Sequence, residues 1–289
     1  MQRSGGRRRQ QNARRGKGSS GRHSRRRELD QNFLKDERTA SRIVAASGAG
    51  RNDLIVEIGA PGGMLTHQLA KVVRRVVAVE YDPYWVMRLR ERFSAHDSVF
   101  VVQADARKVD LPEEPFMVVA NIPFRSTTSL LHRLLDDPTN TLQSAHLVVQ
   151  KQVALKHARA GRTTLKTLNW SPWYEFSAGL HLPAEAFHPR PGVDACLLVA
   201  AKRGPPLVAP SHRHLFRALA RRAFEGRGSC LGKVLRPTFT RTQLRRLASD
   251  NEFSLDSYPS ALTVHQWTSI FHFMVTTIPR DRWPRVERF

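Results

Sequence analysis

Cysteine is nearly absent from this 289-residue chain. Cys196 and Cys230 stand apart with no pairing pattern, which excludes a disulfide framework and a thiolate metal site and fits a reducing compartment. Of the twelve histidines, His212 and His214 stand close, but no second ligand pair accompanies them at metal spacing, so no metal is expected. No apolar run approaches the roughly 20 residues that span a bilayer. The basic N-terminus is followed by no apolar segment of a secretory signal, and it lacks the apolar face of a mitochondrial transit peptide. A cytoplasmic protein without a membrane partner is therefore expected. Acidic residues are also scarce: 25 against 47 Lys and Arg, for a net charge of +22. Such an excess predicts a polyanionic partner.

The charge is unevenly placed. Residues 1–27 carry eleven basic residues and no acidic one, and 204–289 carry a net +8, which leaves only +3 on 28–203. Three parts follow from this. Residues 1–27 have almost nothing to bury and are expected to be a disordered, Arg-rich tail. Residues 28–203 form a nearly neutral catalytic body. After the linker Gly204-Pro205-Pro206, residues 204–289 turn helical, with Leu215, Leu219 and Phe224, then Leu244 and Leu247, then Trp267, Ile270, Phe271 and Met274 as apolar faces amid arginines. Basic flanks around a neutral body suit a catalytic core carried by nucleic-acid-binding extensions.

Within the body, apolar β-branched runs alternate with helical stretches. Strands are predicted over 53–58, 75–79, 98–102, 116–120 and 145–150, with late strands beginning in the aromatic stretch 170–176 and over 194–199. Helices are predicted after Asp36, with Thr39, Ala40, Ile43, Val44 and Ala45 inward, and near 64–66, 83–93 and 126–135, the last opened by Ser126, Thr127 and Thr128 as caps. Leu182 to Pro191 reads as a proline-pinned loop. This rhythm means a doubly wound, mainly parallel α/β sheet, in which ligands bind at the carboxyl ends of the strands.

Those ends carry the chemistry. The first strand, with Glu57, runs into Gly59-Ala60-Pro61-Gly62-Gly63 and then a helix, a context in which backbone can approach a ligand closely. Glu80 closes the second strand about 20 residues later, where a carboxylate can accept from ribose hydroxyls. Asp105 lies just past the third strand, able to bind an amino group or to cap a turn. The fourth strand ends in Asn121-Ile122-Pro123-Phe124. The amide of Asn121 offers an acceptor and donors, Pro123 fixes the backbone without an N–H, and Phe124 offers either a stacking face or a core ring. One crevice would collect all of these.

The ordered set Gln31-Asn32-Phe33-Leu34, Glu57-Ile58-Gly59-Ala60, Glu80, Asp105, Asn121-Ile122-Pro123-Phe124, Val149-Gln150 and Phe187-His188-Pro189-Arg190-Pro191-Gly192-Val193-Asp194 resembles the ribosomal RNA adenine dimethyltransferase superfamily. Within it the chain is most similar to the Erm methyltransferases of macrolide, lincosamide and streptogramin B resistance. The resemblance covers about residues 28–203 and implies a Rossmann-like fold that uses S-adenosylmethionine. It implies that Asn32 and Leu34 close over the methionine end, that Gly59 lies beneath it, that Glu80 holds the ribose and Asp105 the adenine, with Asn121 also near the cofactor. Asn121, Ile122 and Pro123 would grip the target amine, and Phe124 and Phe187 would wall the target base. The implied partner is 23S rRNA, naked or in an assembling large subunit, met by a monomer. The resemblance leaves two alternatives, a housekeeping small-subunit rRNA dimethyltransferase and a nucleic-acid-binding relative without catalysis. Where the family has Gly after Ala60 this chain has Pro61, so Gly62 and Gly63 are expected to take over the turn.

Overall fold

The computed structural model describes residues 32–286 apart from 160 and 227. The Arg-rich segment 1–27 and Gln31 of the first motif lie outside the described residues. Nine strands are described, β1 (Phe33–Leu34), β2 (Leu54–Ile58), β3 (Arg75–Glu80), β4 (Val99–Gln103), β5 (Phe116–Asn121), β6 (Leu142–Gln150), β7 (Tyr174–Leu182), β8 (Phe187–His188) and β9 (Ala195–Lys202). Seven of them form one sheet in the order β4-β3-β2-β5-β6-β9-β7. The run from β4 to β6 is parallel, and β9 joins β6 and β7 antiparallel to both.

The chain steps outward from β2 to β3 and β4, then returns to lay β5 on the other side of β2. That reversal makes a topological switch point between the carboxyl ends of β2 and β5, where open α/β sheets bind ligands. Because side chains alternate across a strand, Val118 and Ala120 of β5 face one apolar layer and Val119 faces the other, as do Leu147, Val149 and Val148 of β6. On the second face Ile55, Val119 and Leu197 meet Ile43 and Leu69 from the helices Glu37–Ser47 and Met64–Ala70. On the first face the core runs without a break from the sheet through Trp170 and Trp173 into Phe216, Trp267, Ile270 and Phe271 of the C-terminal helices.

Several local expectations are corrected. In helix Glu37–Ser47, Ser47 turns inward and Ala45 is exposed. Ser126 makes no side-chain cap bond. A 3-10 turn over Phe124–Ser126 precedes helix Thr127–Leu135, and the Thr127 hydroxyl donates back to the Phe124 carbonyl at 2.9 Å. In helix Arg213–Glu225 the buried stripe is Phe216, Leu219, Ala220 and Ala223, with Leu215 and Phe224 only half-buried. The proline-pinned loop contains β8, which pairs antiparallel with β1, placing Leu34 opposite Phe187. The chain after Gly204 does not lead away from the sheet: Leu207 N–H donates to the Pro172 carbonyl and Trp173 Nε1 to the Val208 carbonyl.

Candidate active site

Strand β2 delivers the glycine turn. Gly59 adopts a left-handed φ of 71° while its N–H donates to the Val79 carbonyl at 2.9 Å, tying the turn to β3. A Cβ on Gly59 would make ordinary contact, at 3.9 Å, with the Asn121 carbonyl oxygen, so it is the left-handed backbone and not crowding that favours glycine here. Pro61 starts a 3-10 turn, and the positive φ values fall on Gly62 and Gly63. Proline at the first position of such a turn loses no internal bond. Gly63 packs so closely on the helix Pro83–Arg92 that a Cβ would meet Phe93 at 2.7 Å and Leu89 at 2.8 Å. From that same helix Arg92 Nη1 donates to the Gly62 carbonyl at 2.6 Å.

The crevice beyond this turn encloses about 470 Å³, and Gly59, Glu80, Asp105, Ile122 and Pro123 all line it. Glu80 Oε1 accepts from the N–H groups of Tyr81 and Asp82 at 2.7 and 2.9 Å, while its Oε2 is buried without a partner. Burial pushes the Glu80 carboxyl up, against those backbone donors. Glu57, behind it, is fully enclosed. Burial pushes its carboxyl up to about 8, Thr66 opposes this, and the Glu80 charge adds to it. Burial thus favours the protonated acid at Glu57, while at Glu80, which lines the crevice, the two backbone donors favour the carboxylate.

Asp105 is already engaged. Arg107 Nε approaches its two oxygens at 3.0 and 3.1 Å and Nη2 approaches Oδ2 at 2.5 Å, while the Arg107 backbone N–H adds a bond of 2.9 Å. These bonds hold the carboxyl down at about 2. Any amino group recognised by Asp105 must share it with this guanidinium.

Asn121 ends β5 immediately before Ile122 and Pro123 of the crevice wall and is not itself among the lining residues. Its Nδ2 donates to the Asn32 carbonyl at 2.8 Å. This bond fixes the amide orientation and turns its acceptor oxygen away from Asn32. Asn32 therefore enters through its backbone, held beside Asn121 as β1 pairs with β8 and Lys35 N–H donates to the Ala186 carbonyl. Ile122 is buried at the crevice wall and Phe124 is half-buried against the second core layer. Phe187 is more deeply placed than Phe124. Its ring is 2% exposed and packs with Leu34, itself 8% exposed, inside that layer. The β1–β8 pairing turns both toward this layer, and what is left of their surface lines a separate cleft with Phe33, Glu185 and Arg190. Sequence reasoning missed Tyr81, which lines the crevice at 64% exposure, and also Arg107 and Arg92. The ion-pairing geometry of an Asp-x-Arg step was the one signal available for Arg107.

A seven-stranded α/β sheet with a glycine turn after β2, an acidic end on β3 and an amide-Pro-aromatic end on β5 has the architecture of an α/β methyltransferase. A family model described as "Ribosomal RNA adenine dimethylase" matches residues 22–275. The chain belongs to this ribosomal RNA adenine dimethylase family. It is 36% identical over 220 residues to an rRNA adenine N-6-methyltransferase of Corynebacterium diphtheriae, covering 75% of this chain and 82% of that one. It is 33% identical to the mycinamicin-resistance protein MyrB of Micromonospora griseorubida, covering 87% and 78% respectively. The crystal structure of the 23S rRNA methyltransferase ErmE superposes with a TM-score of 0.77 at 26% identity, over 85% of this chain and all of that one. Among the described residues no helix is long and apolar enough to cross a membrane.

Proposed function

We propose that this protein transfers a methyl group from S-adenosylmethionine to N6 of an adenine in the peptidyl-transferase loop of 23S rRNA, giving macrolide, lincosamide and streptogramin B resistance. What carries the reading is the Asn121 amide at the switch point, its orientation fixed by Asn32, beside a crevice that holds the unpartnered Glu80 Oε2. The crevice fits the cofactor on its own terms: an orphaned buried acceptor suits a ribose hydroxyl, and side-chain-free Gly59 leaves room for the methionine end. Asp105, shared with Arg107, would receive the adenine. When bound, the cofactor supplies an electrophilic sulfonium methyl.

The protein's part is positioning. An adenine amine is a poor nucleophile because its lone pair is delocalised into the ring. Asn121 Oδ1 and a neighbouring backbone carbonyl accept hydrogen bonds from its two N–H groups and favour a pyramidal nitrogen, Pro123 holds that backbone, and Phe124 supports the base plane. Such pre-organisation replaces a strong base. The base must leave its stack to enter. The arginine-rich tail and the helical part 204–289 supply salt-dependent RNA affinity, and the protein acts as a cytoplasmic monomer.

Incubating 23S rRNA with the protein and labelled cofactor, then mapping the modified bases, tests the reading. Label on adenine N6 in the peptidyl-transferase loop is expected. Label confined to small-subunit rRNA, or none with either RNA, overturns it. Glu80→Gln is expected to weaken cofactor binding by roughly tenfold or more, since a charge-assisted hydrogen bond is worth about 1.5–3 kcal/mol; titration calorimetry with unchanged affinity would remove Glu80 from the site. Arg92→Ala should raise the cofactor KM roughly three- to tenfold at nearly constant kcat by releasing the Gly62 carbonyl, the range expected for one exposed bond. Arg92→Lys should recover part of this, and an unmoved KM would leave the bond without a role.

A further inference from the structure

A second large cleft among the described residues lies elsewhere. It encloses about 640 Å³ between helix Thr127–Leu135 and helix Arg213–Glu225, and five arginines line it, Arg213, Arg217, Arg221, Arg222 and Arg285. Arg213, Arg217 and Arg221 stand four residues apart, so they form one stripe along the second helix. Asp136, Asp137 and Glu225 also line the cleft, yet the two aspartates are committed to other donors. Asp136 accepts from Trp170 Nε1 at 2.7 Å and lies 3.0 Å from His132 Nδ1. Asp137 accepts from the Thr139 N–H at 3.1 Å and the Thr139 hydroxyl at 2.7 Å.

Arg213 and Arg217 therefore meet these two aspartates only at a distance. Arg217 Nη2 is 3.8 Å from Asp136 and Arg213 Nε is 3.9 Å from Asp137, beyond hydrogen-bond reach. Arg217 is held from behind, with Nε on the Asn169 carbonyl at 3.1 Å and its guanidinium over the Trp173 ring at 5.6 Å. Its Nη2 is buried with no hydrogen-bond partner, as is Asn169 Oδ1 beside it. A buried guanidinium with an unmatched donor is retained at a cost unless an acceptor arrives, and a planar fork of this kind matches phosphate oxygens.

The cleft is also within reach of the crevice. Ser126 and Ser129 line the crevice, and His132 and Asp136 line the cleft. These positions follow one face of a single helical path, and Ser129 to Asp136 spans about 10 Å at 1.5 Å per residue. That is about three nucleotide steps of a stacked strand.

We infer that the arginine cleft between helices Thr127–Leu135 and Arg213–Glu225 binds backbone phosphates of the same RNA whose adenine enters the crevice. It would seat them a few nucleotides from the target and so set which stem flanks it. This rests on the RNA substrate proposed above.

The test compares wild type with Arg213→Gln/Arg285→Gln, two changes that leave the buried Arg217 in place. RNA affinity is measured across a salt series on a 23S rRNA fragment containing the peptidyl-transferase loop, with cofactor affinity and thermal melting alongside. The slope of log affinity against log salt is expected to become shallower by about two, at roughly 0.9 per lost phosphate contact. The RNA KM should rise while kcat and cofactor affinity stay at wild-type values. Arg213→Lys/Arg285→Lys should keep the slope. A wild-type slope and RNA KM in the folded glutamine variant overturn the inference. The salt slope does not depend on transfer, so wild-type protein that binds the fragment without methylating it would count against the proposed reaction and not against the cleft.

Discussion

Asn121→Ala is expected to lower methyl transfer by at least about 10²–10³-fold, the range seen when one pre-organised polar group is removed from a transition state, with cofactor affinity within a few-fold of wild type. The split follows from where the side chain sits. The crevice is lined by Gly59, Glu80, Asp105, Ile122 and Pro123, whereas Asn121 is not among its lining residues and its amide is fixed by the Asn32 carbonyl at 2.8 Å. Truncation removes the acceptor that holds the amine and releases the Asn32 carbonyl. It costs the fold little, because a single hydrogen bond of this kind is worth about 1 kcal/mol net. Asn121→Asp separates the two roles: it keeps an acceptor facing the amine but cannot donate to Asn32. Single-turnover transfer and calorimetry check both. Cofactor affinity falling in parallel with transfer would make Asn121 a cofactor ligand, and near-normal transfer would leave the amine held by another group.

What the sequence disclosed and what it hid have a common physical origin. Runs such as Leu54–Ile58 and Phe116–Asn121 are long, β-branched and buried, so strand type and strand end could be read together. The chemistry-bearing residues Gly59, Glu80, Asp105 and Asn121 fell at those ends and came into view as a set. The pairing of Phe33–Leu34 with Phe187–His188 was not visible, because two residues carry no period and their partners lie more than 150 residues apart. For that reason Phe187 and Phe124 looked alike in sequence, and only the pairing turns Phe187 into a core ring. In helix Arg213–Glu225 Leu219 is buried as expected, but Phe216 and Ala223 bury where Leu215 and Phe224 were expected, since long arginine stems blur the boundary between an apolar and a polar face. Arg107 escaped because an exposed ion pair is decided by rotamers and not by pattern.

Trp173→Ala is expected to destabilise the protein by about 3–5 kcal/mol, a large share of the roughly 5–15 kcal/mol that holds a typical domain. The indole is 1% exposed, donates to the Val208 carbonyl at 2.7 Å, and meets Phe216 edge-on with ring centroids 5.9 Å apart. Truncation leaves a cavity where the sheet meets the helices and strips the Val208 carbonyl of its donor, a further loss of about 1–3 kcal/mol if that oxygen stays dry. Trp173→Phe keeps most of the volume and loses the N–H, so it should recover more than half of the stability. The apolar layer is continuous from Val118 and Leu147 to Trp267 and Phe271, and on that ground wild-type protein should melt in one transition. At roughly 2–4 °C per kcal/mol for a chain of this size, the alanine variant should melt about 10 °C lower or more by circular dichroism. A loss under 1 kcal/mol, or a separate early transition in wild type, would mean that the helices fold by themselves. A single lowered transition would mean that Trp173 fixes the orientation of Arg217 and its helix to the crevice, so that an RNA gripped by one is presented to the other.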